Sequence, residues 1–109
     1  MNHDEFVASR RQEIVSVSRS VLEGDINTIE GIRKICALRM FMDNPQDEVF
    51  LAIRAIESET DHFPIGDQRA NRAPEALKKL DQKVEEYLAD ARDDIYEACR
   101  EIIRLYSDL

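Results

Sequence analysis

A chain of 109 residues that is 43% hydrophobic and 35% charged holds enough apolar material for one core and too much for a disordered tail. Its formal charge of −8, with no basic run longer than Arg10-Arg11 or Lys78-Lys79, argues against a nucleic-acid binder, because affinity for phosphate backbones comes from clustered Lys and Arg. The same acidity suits a basic protein partner, and it also serves plain solubility.

The opening residues Asn2-His3-Asp4-Glu5 are polar and acidic, unlike a signal peptide, and no apolar run approaches the roughly 20 residues that cross a bilayer. A cytoplasmic protein without membrane contact is therefore expected. Cys36 and Cys99 then read as small buried hydrophobes in a reducing compartment. Three glycines and three prolines favour a few long helices over many short strands.

The first helix is predicted from about residue 2 to 22. Asn2 with Glu5 has capping-box spacing, Phe6, Val7, Ile14, Val17, Val21 and Leu22 fall on one face, and Gly24 can end it in a left-handed conformation. Asn27 and Glu30 repeat the capping spacing and open a second helix to about Met42, with Ile29, Ile32, Ile35, Cys36 and Leu38 as its apolar face. Gly31 inside that helix costs about 1 kcal/mol against Ala and marks the close approach of a neighbour. Asp43-Asn44-Pro45 stops the second helix and starts a third, with Asn44 as cap and Pro45 in the first turn. Val49, Phe50, Ile53 and Ile56 form the third face, which ends near Glu57.

The last helix is predicted from Pro74 through Leu109. Val84, Leu88, Ala91, Ile95, Ala98, Ile102, Leu105 and Leu109 alternate by four and three, a heptad-like seam. At 1.5 Å per residue this helix is roughly 52 Å long against about 30 Å for the first. Either the shorter helices are staggered to cover its seam, or an uncovered part favours a homodimer through the C-terminal helix. The expected fold class is all-α: a four-helix bundle in one domain, residues 1–109, with a long C-terminal helix and an ordered polar loop before it.

That loop, residues 58–69, collects hydroxyls, carboxylates, an imidazole and a guanidinium, and loops of such length are commonly functional. Extending the seam back from Val84 puts Asp81 at a core-facing position, where a carboxylate needs a cation or several donors. His62, Arg69 and Arg72 are the nearest candidates to fasten the loop there. The other reading turns Leu80 inward and leaves Asp81 at the rim in water. Phe63-Pro64-Ile65-Gly66 fits a type I turn whose Phe63 and Ile65 plug the end of the helices, and Ser58 with Asp61 could form one tight turn.

A catalytic account would use Glu57, Glu59, Asp61 and His62 as metal ligands or as acid and base. The spacing is poor for either: there is no HExxH or paired ExxE arrangement, no Gly-rich phosphate loop and no recognisable nucleophile. The pairs Glu85-Glu86 and Asp93-Asp94 read as a solvated helix face. No cofactor and no metal site is expected.

Ser58-Glu59-Thr60-Asp61-His62 followed by Pro64, Gly66 and Arg69 resembles the signature of a small bacterial all-helical family of unknown function. Glu30-Gly31, Arg33, Leu77, Asp81 and Cys99 agree with it, so the resemblance covers most of the chain from about Leu22 onward. The chain departs from that pattern at Arg72, where the family pattern has Trp, which implies a loop closed without that aromatic contact. The resemblance implies a helical domain of bacterial origin and no activity.

The expected function is that of a non-enzymatic interaction module, an inhibitor or immunity-type protein for a basic partner. Glu57, Ser58, Glu59, Asp61 and His62 are its contact residues, and Arg69, Arg72 and Asp81 hold the loop. The competing class is a small metal-dependent hydrolase or ligand-binding domain built on the loop carboxylates.

Overall fold

The computed structural model of the chain describes residues 2–107. Among them every regular element is helical: α1 (His3–Glu23), α2 (Thr28–Leu38), α3 (Leu51–Thr60) and the long α4 (Pro74–Tyr106), with short 3-10 turns at Arg39–Phe41, Glu48–Phe50 and Gly66–Asn71. The expected continuation of the last helix to Leu109 lies outside the described residues.

Local chemistry accounts for the helix ends. The Asn2 side chain accepts from the Glu5 N–H at 2.8 Å, and Asn27 does the same for Glu30 at 3.2 Å; each satisfies a donor that the first turn leaves orphaned. Gly24 closes α1 at φ +77°, a conformation that costs an L side chain.

Three boundaries differ from the sequence reading. The second helix tightens into a 3-10 turn after Leu38 instead of running to Met42 as α-helix. The third is entered through the 3-10 turn Glu48–Phe50, which is capped by Asp47 accepting from the Val49 N–H at 3.0 Å, and not by Asn44, which sits in a turn four residues before Glu48 and receives the Gln46 N–H at 3.3 Å. The third helix then runs through Ser58 and Glu59 to Thr60. Nothing in the Glu57–Thr60 stretch breaks a helix, and the Thr60 hydroxyl donates back to the Ile56 carbonyl at 2.7 Å.

α1 packs on α2 and α4, and α3 packs on α2 and α4, so each helix has two neighbours around one core. Ile14, Ile32, Ile35, Phe50, Ile53, Ile95, Cys99 and Ile102 are buried at its centre. α1 presents Ile14, Val15, Ser18 and Val21 to this core. Phe6, expected on the same face, stands at the surface with its ring edge-on to Phe41, centroids 5.3 Å apart. Buried Ser18 donates to the Ile14 carbonyl at 2.8 Å, so it enters the core without an unmet hydroxyl.

Gly31 faces Val21 so closely that an added Cβ would lie 2.4 Å from its Cγ2. This is the close approach that its place in a helix implied. Burial raises the thiols of Cys36 and Cys99 to about 11, so both stay protonated at neutral pH.

Along α4 the buried residues begin only at Ile95. From Leu77 to Ala91 the same face is half-buried, covered in part by the corner that joins α3 to α4 and by the start of α2. No helix among the described residues is long and apolar enough to cross a membrane.

Candidate functional site

The corner between α3 and α4 is far shorter as irregular chain than residues 58–69 suggest, because helix continues to Thr60 and a 3-10 turn resumes at Gly66. Three groups hold it. Arg33, one turn along α2 from its N-terminus, reaches across with a single terminal nitrogen. Its Nη2 donates to the carbonyls of Thr60 (2.9 Å), Asp61 (3.3 Å) and Phe63 (2.9 Å). The Asp61 and Phe63 carbonyls have no other partner in this turn, and a cation there also complements the negative end of the helix dipole.

Beneath them Phe63 and Pro64 are buried, and Ile65 is half-buried. Phe63 and Ile65 thus do cover the end of the helices, but not through a type I turn. Ile65 is extended (φ −132°, ψ 158°), where the third position of that turn needs ψ near 0°. The turn is made three residues earlier, by the Phe63 N–H on the Thr60 carbonyl at 3.1 Å. Gln68 then receives the Ile65 N–H at 3.3 Å and starts the 3-10 segment.

The third group is Arg69. Its Nη1 lies 2.7 Å from Asp81 Oδ1 and its Nη2 2.8 Å from Oδ2, a two-pronged pair linking the 3-10 turn to α4. Both side chains remain partly exposed, Arg69 at 38% and Asp81 at 49%. Asp81 is therefore neither sunk in the core nor left alone in water; it stands at the rim with a fixed partner. The hydrogen bonds from Arg69 hold its carboxyl below the usual carboxylate range.

The other candidate residues do not converge on this pair. His62 packs against Phe63 with ring centroids 4.2 Å apart and the rings tilted by 40°, and has its Nδ1 3.9 Å from Asp61 Oδ1. With Arg72, those two line a surface depression that also includes Pro64, Gln68 and Asn71. Glu59 turns to α4, where the Tyr87 hydroxyl donates to its carboxylate. Burial first, and this bond second, raise Tyr87 to about 12. Glu57 lies on the other flank of α3, near Cys36, whose pKa its charge raises further. Ser58 is exposed on the last turn of α3.

Four of the five acidic or hydroxyl candidates thus point in separate directions. Among the described residues no three His, Cys, Asp or Glu side chains gather at metal-binding range.

Between the corner, the start of α2 and α4 lies a cavity of about 370 Å³, walled by Ile29, Phe63, Ile65, Leu80 and Val84, with Asn27, Glu30, Arg69 and Asp81 supplying its polar groups. Sequence reasoning did not find it, because its walls come from three separate segments. It also assigned no role to Arg33. Its signals were its agreement with the family pattern and its place one turn after the Asn27–Glu30 cap, close enough to the α2 start to meet a neighbouring helix end.

No curated protein and no solved structure matches the chain. One family model matches, and the match runs nearly end to end. Over residues 2–102 the sequence fits the family described as "Protein of unknown function (DUF2489)", and the chain belongs to that family.

Proposed function

We propose that the chain is a four-helix bundle acting as a non-enzymatic interaction module, an inhibitor or immunity-type protein that binds a basic partner in the cytoplasm. The observation that carries this reading is the construction of the α3–α4 corner. Its backbone is tied from α2 by Arg33 and to α4 by Arg69, while Ser58, Glu59, Asp61 and His62 stay exposed above buried Phe63 and Pro64. A surface ordered before binding loses less conformational entropy on association, and the net charge of −8 speeds encounter with a cationic partner.

The competing metal-dependent reading would have to start from Asp61 and His62, the one carboxylate–imidazole neighbour pair in the corner. Melting with Mg²⁺, Mn²⁺ or Zn²⁺ separates the two, since a bound ion raises the melting temperature. Association of two copies along the half-covered part of α4 is a further element of the reading, and light scattering measures it.

The direct test places a photo-crosslinking residue at His62, with Lys34 on α2 as the control position, in cells that make the protein. One basic protein captured from position 62 and not from 34, with capture weakening as salt rises, is the expected result. No adduct at 62, or the same adducts at both positions, overturns the proposal.

A further inference from the structure

The first turn of α2 carries a carboxylate with no partner of its own. Asn27 closes the Glu30 backbone N–H, but the Glu30 side chain makes no hydrogen bond or ion pair among the described residues, and it lines the cavity of about 370 Å³ beneath the corner. That volume falls within the range of small-ligand pockets, roughly 300–1,000 Å³.

Three formal charges border this space: Glu30, Asp81 and Arg69. Arg69 gives one nitrogen to each oxygen of Asp81, so that pair is neutral as a unit. The start of α2 adds a partial positive charge of about half a unit, which the full charge of Glu30 outweighs. The unpaired charge on the cavity wall is therefore that of Glu30, in a space also walled by Phe63, Ile65, Leu80 and Val84.

We infer that this cavity binds a cation carried on an apolar stem, an ammonium or guanidinium on several methylenes. The stem lies against Phe63, Ile65, Leu80 and Val84, and the head group pairs with Glu30. Such a stem removes apolar wall from water, and its charge takes up the one carboxylate lining the cavity that has no partner. The same chemistry reaches the cavity either as a free amine or as a Lys or Arg side chain of another protein; only the second source rests on the interaction reading above.

The test is an amide-resolved NMR titration with three probes that share one stem: hexylammonium, hexanol and hexanoate. Hexylammonium is expected to shift the amides of Glu30, Ile65 and Val84 saturably and to bind about tenfold tighter than hexanol, the advantage of a charged over a neutral hydrogen bond. Hexanoate is expected not to bind. Glu30→Gln should erase the preference for the ammonium while leaving hexanol unchanged. Val84→Phe should fill the space and abolish both, with the helical circular dichroism retained.

Equal binding of hexanoate, shifts confined to the outer carboxylates of α4, or an unaltered preference in Glu30→Gln would each overturn the inference. The sources are told apart by N-acetyl-Gly-Lys-Gly-amide: binding as tight as hexylammonium points to a partner's side chain, and binding by the free amine alone points to a small molecule. These readouts need no partner, so a failed crosslink at position 62 and a failed titration are separate results.

Discussion

Arg69 and Asp81, twelve residues apart in sequence, meet through two parallel hydrogen bonds of 2.7 and 2.8 Å. A planar guanidinium matches a carboxylate in this way where an ammonium cannot. The pair fixes the last turn before α4 to the second turn within it, and so sets the angle at which the corner is presented.

Arg69→Lys and Asp81→Asn are therefore expected to speed hydrogen exchange of the amides at 62–72, with little change in the melting temperature of the whole chain, since half-exposed pairs contribute little to global stability. The pH dependence has a definite sign. Asp81 titrates below its unfolded value in the folded chain, so the contribution of the pair is complete above about pH 4 and is lost as pH falls through the lower folded value. Faster corner exchange on acidification, absent from Asp81→Asn, is the expected signature. Uniform acceleration across all helices would show that the pair does not act locally.

Arg33 is expected to matter more for overall stability than Arg69, because it serves three backbone carbonyls at once. Arg33→Met keeps the aliphatic length and removes the donors, leaving Thr60 with the Phe63 N–H alone and the Asp61 and Phe63 carbonyls without a protein donor. The expected loss is about 1–3 kcal/mol, the usual cost of orphaned polar groups, read from urea unfolding. A loss no larger than that of an exposed control such as Lys34→Met would refute the role.

Helix content and the apolar faces were legible in the sequence because they rest on local rules. The Asn2 and Asn27 caps, the left-handed Gly24 and the Ile29–Leu38 face each follow from spacing within one or two turns. What escaped depends on residues distant in the chain. Phe6 has the right spacing for the core but lies in the first turn of α1, where it meets Phe41 at the surface. Asp47 displaced Asn44 as cap because a turn at Asn44–Asp47 comes before the helix, and local rules do not say which of two Asx residues three apart prevails.

The candidate site was legible in the same uneven way. Asp81 stood out as a carboxylate in an apolar seam, which forced a search for a cation, and Arg69 was among the three within reach. Nothing in spacing could choose among His62, Arg69 and Arg72, because that choice is made by the 3-10 turn at Gly66–Asn71. Glu57, at the expected helix end, and Glu59, in the expected loop, looked like neighbours. On a helix two positions apart they face different flanks, one toward Cys36 and the other toward Tyr87.

Gly31 gives a prediction in which two effects of opposite sign compete. Ala is favoured over Gly inside a helix by about 1 kcal/mol, but the new methyl would lie 2.4 Å from Val21 Cγ2. Val21 is 1% exposed and β-branched, with one strongly preferred rotamer in a helix, so it cannot swing away. Overpacking of this kind costs about 1–3 kcal/mol, and Gly31→Ala is expected to be net destabilising. In the background of Val21→Ala the obstructing methyls are gone and Gly31→Ala should become neutral or stabilising. A double-mutant cycle in urea measures that coupling, and additivity within about 0.5 kcal/mol would contradict the close approach.

Tyr87 supplies a test at the opposite end of the pH scale. Burial and the bond to Glu59 raise its hydroxyl to about 12, so the folded state holds this proton more tightly than the unfolded chain, where tyrosine titrates near 10. The resulting stabilisation is complete below about pH 10 and is lost as pH rises through about 12. Absorbance titration of phenolate should therefore show a late-ionising component that disappears in Tyr87→Phe. Glu59→Gln should move that component downward by only part of the shift, because burial, the larger cause, is untouched by the substitution. A component that returned fully to about 10 in Glu59→Gln would reverse that order and make the carboxylate the main cause.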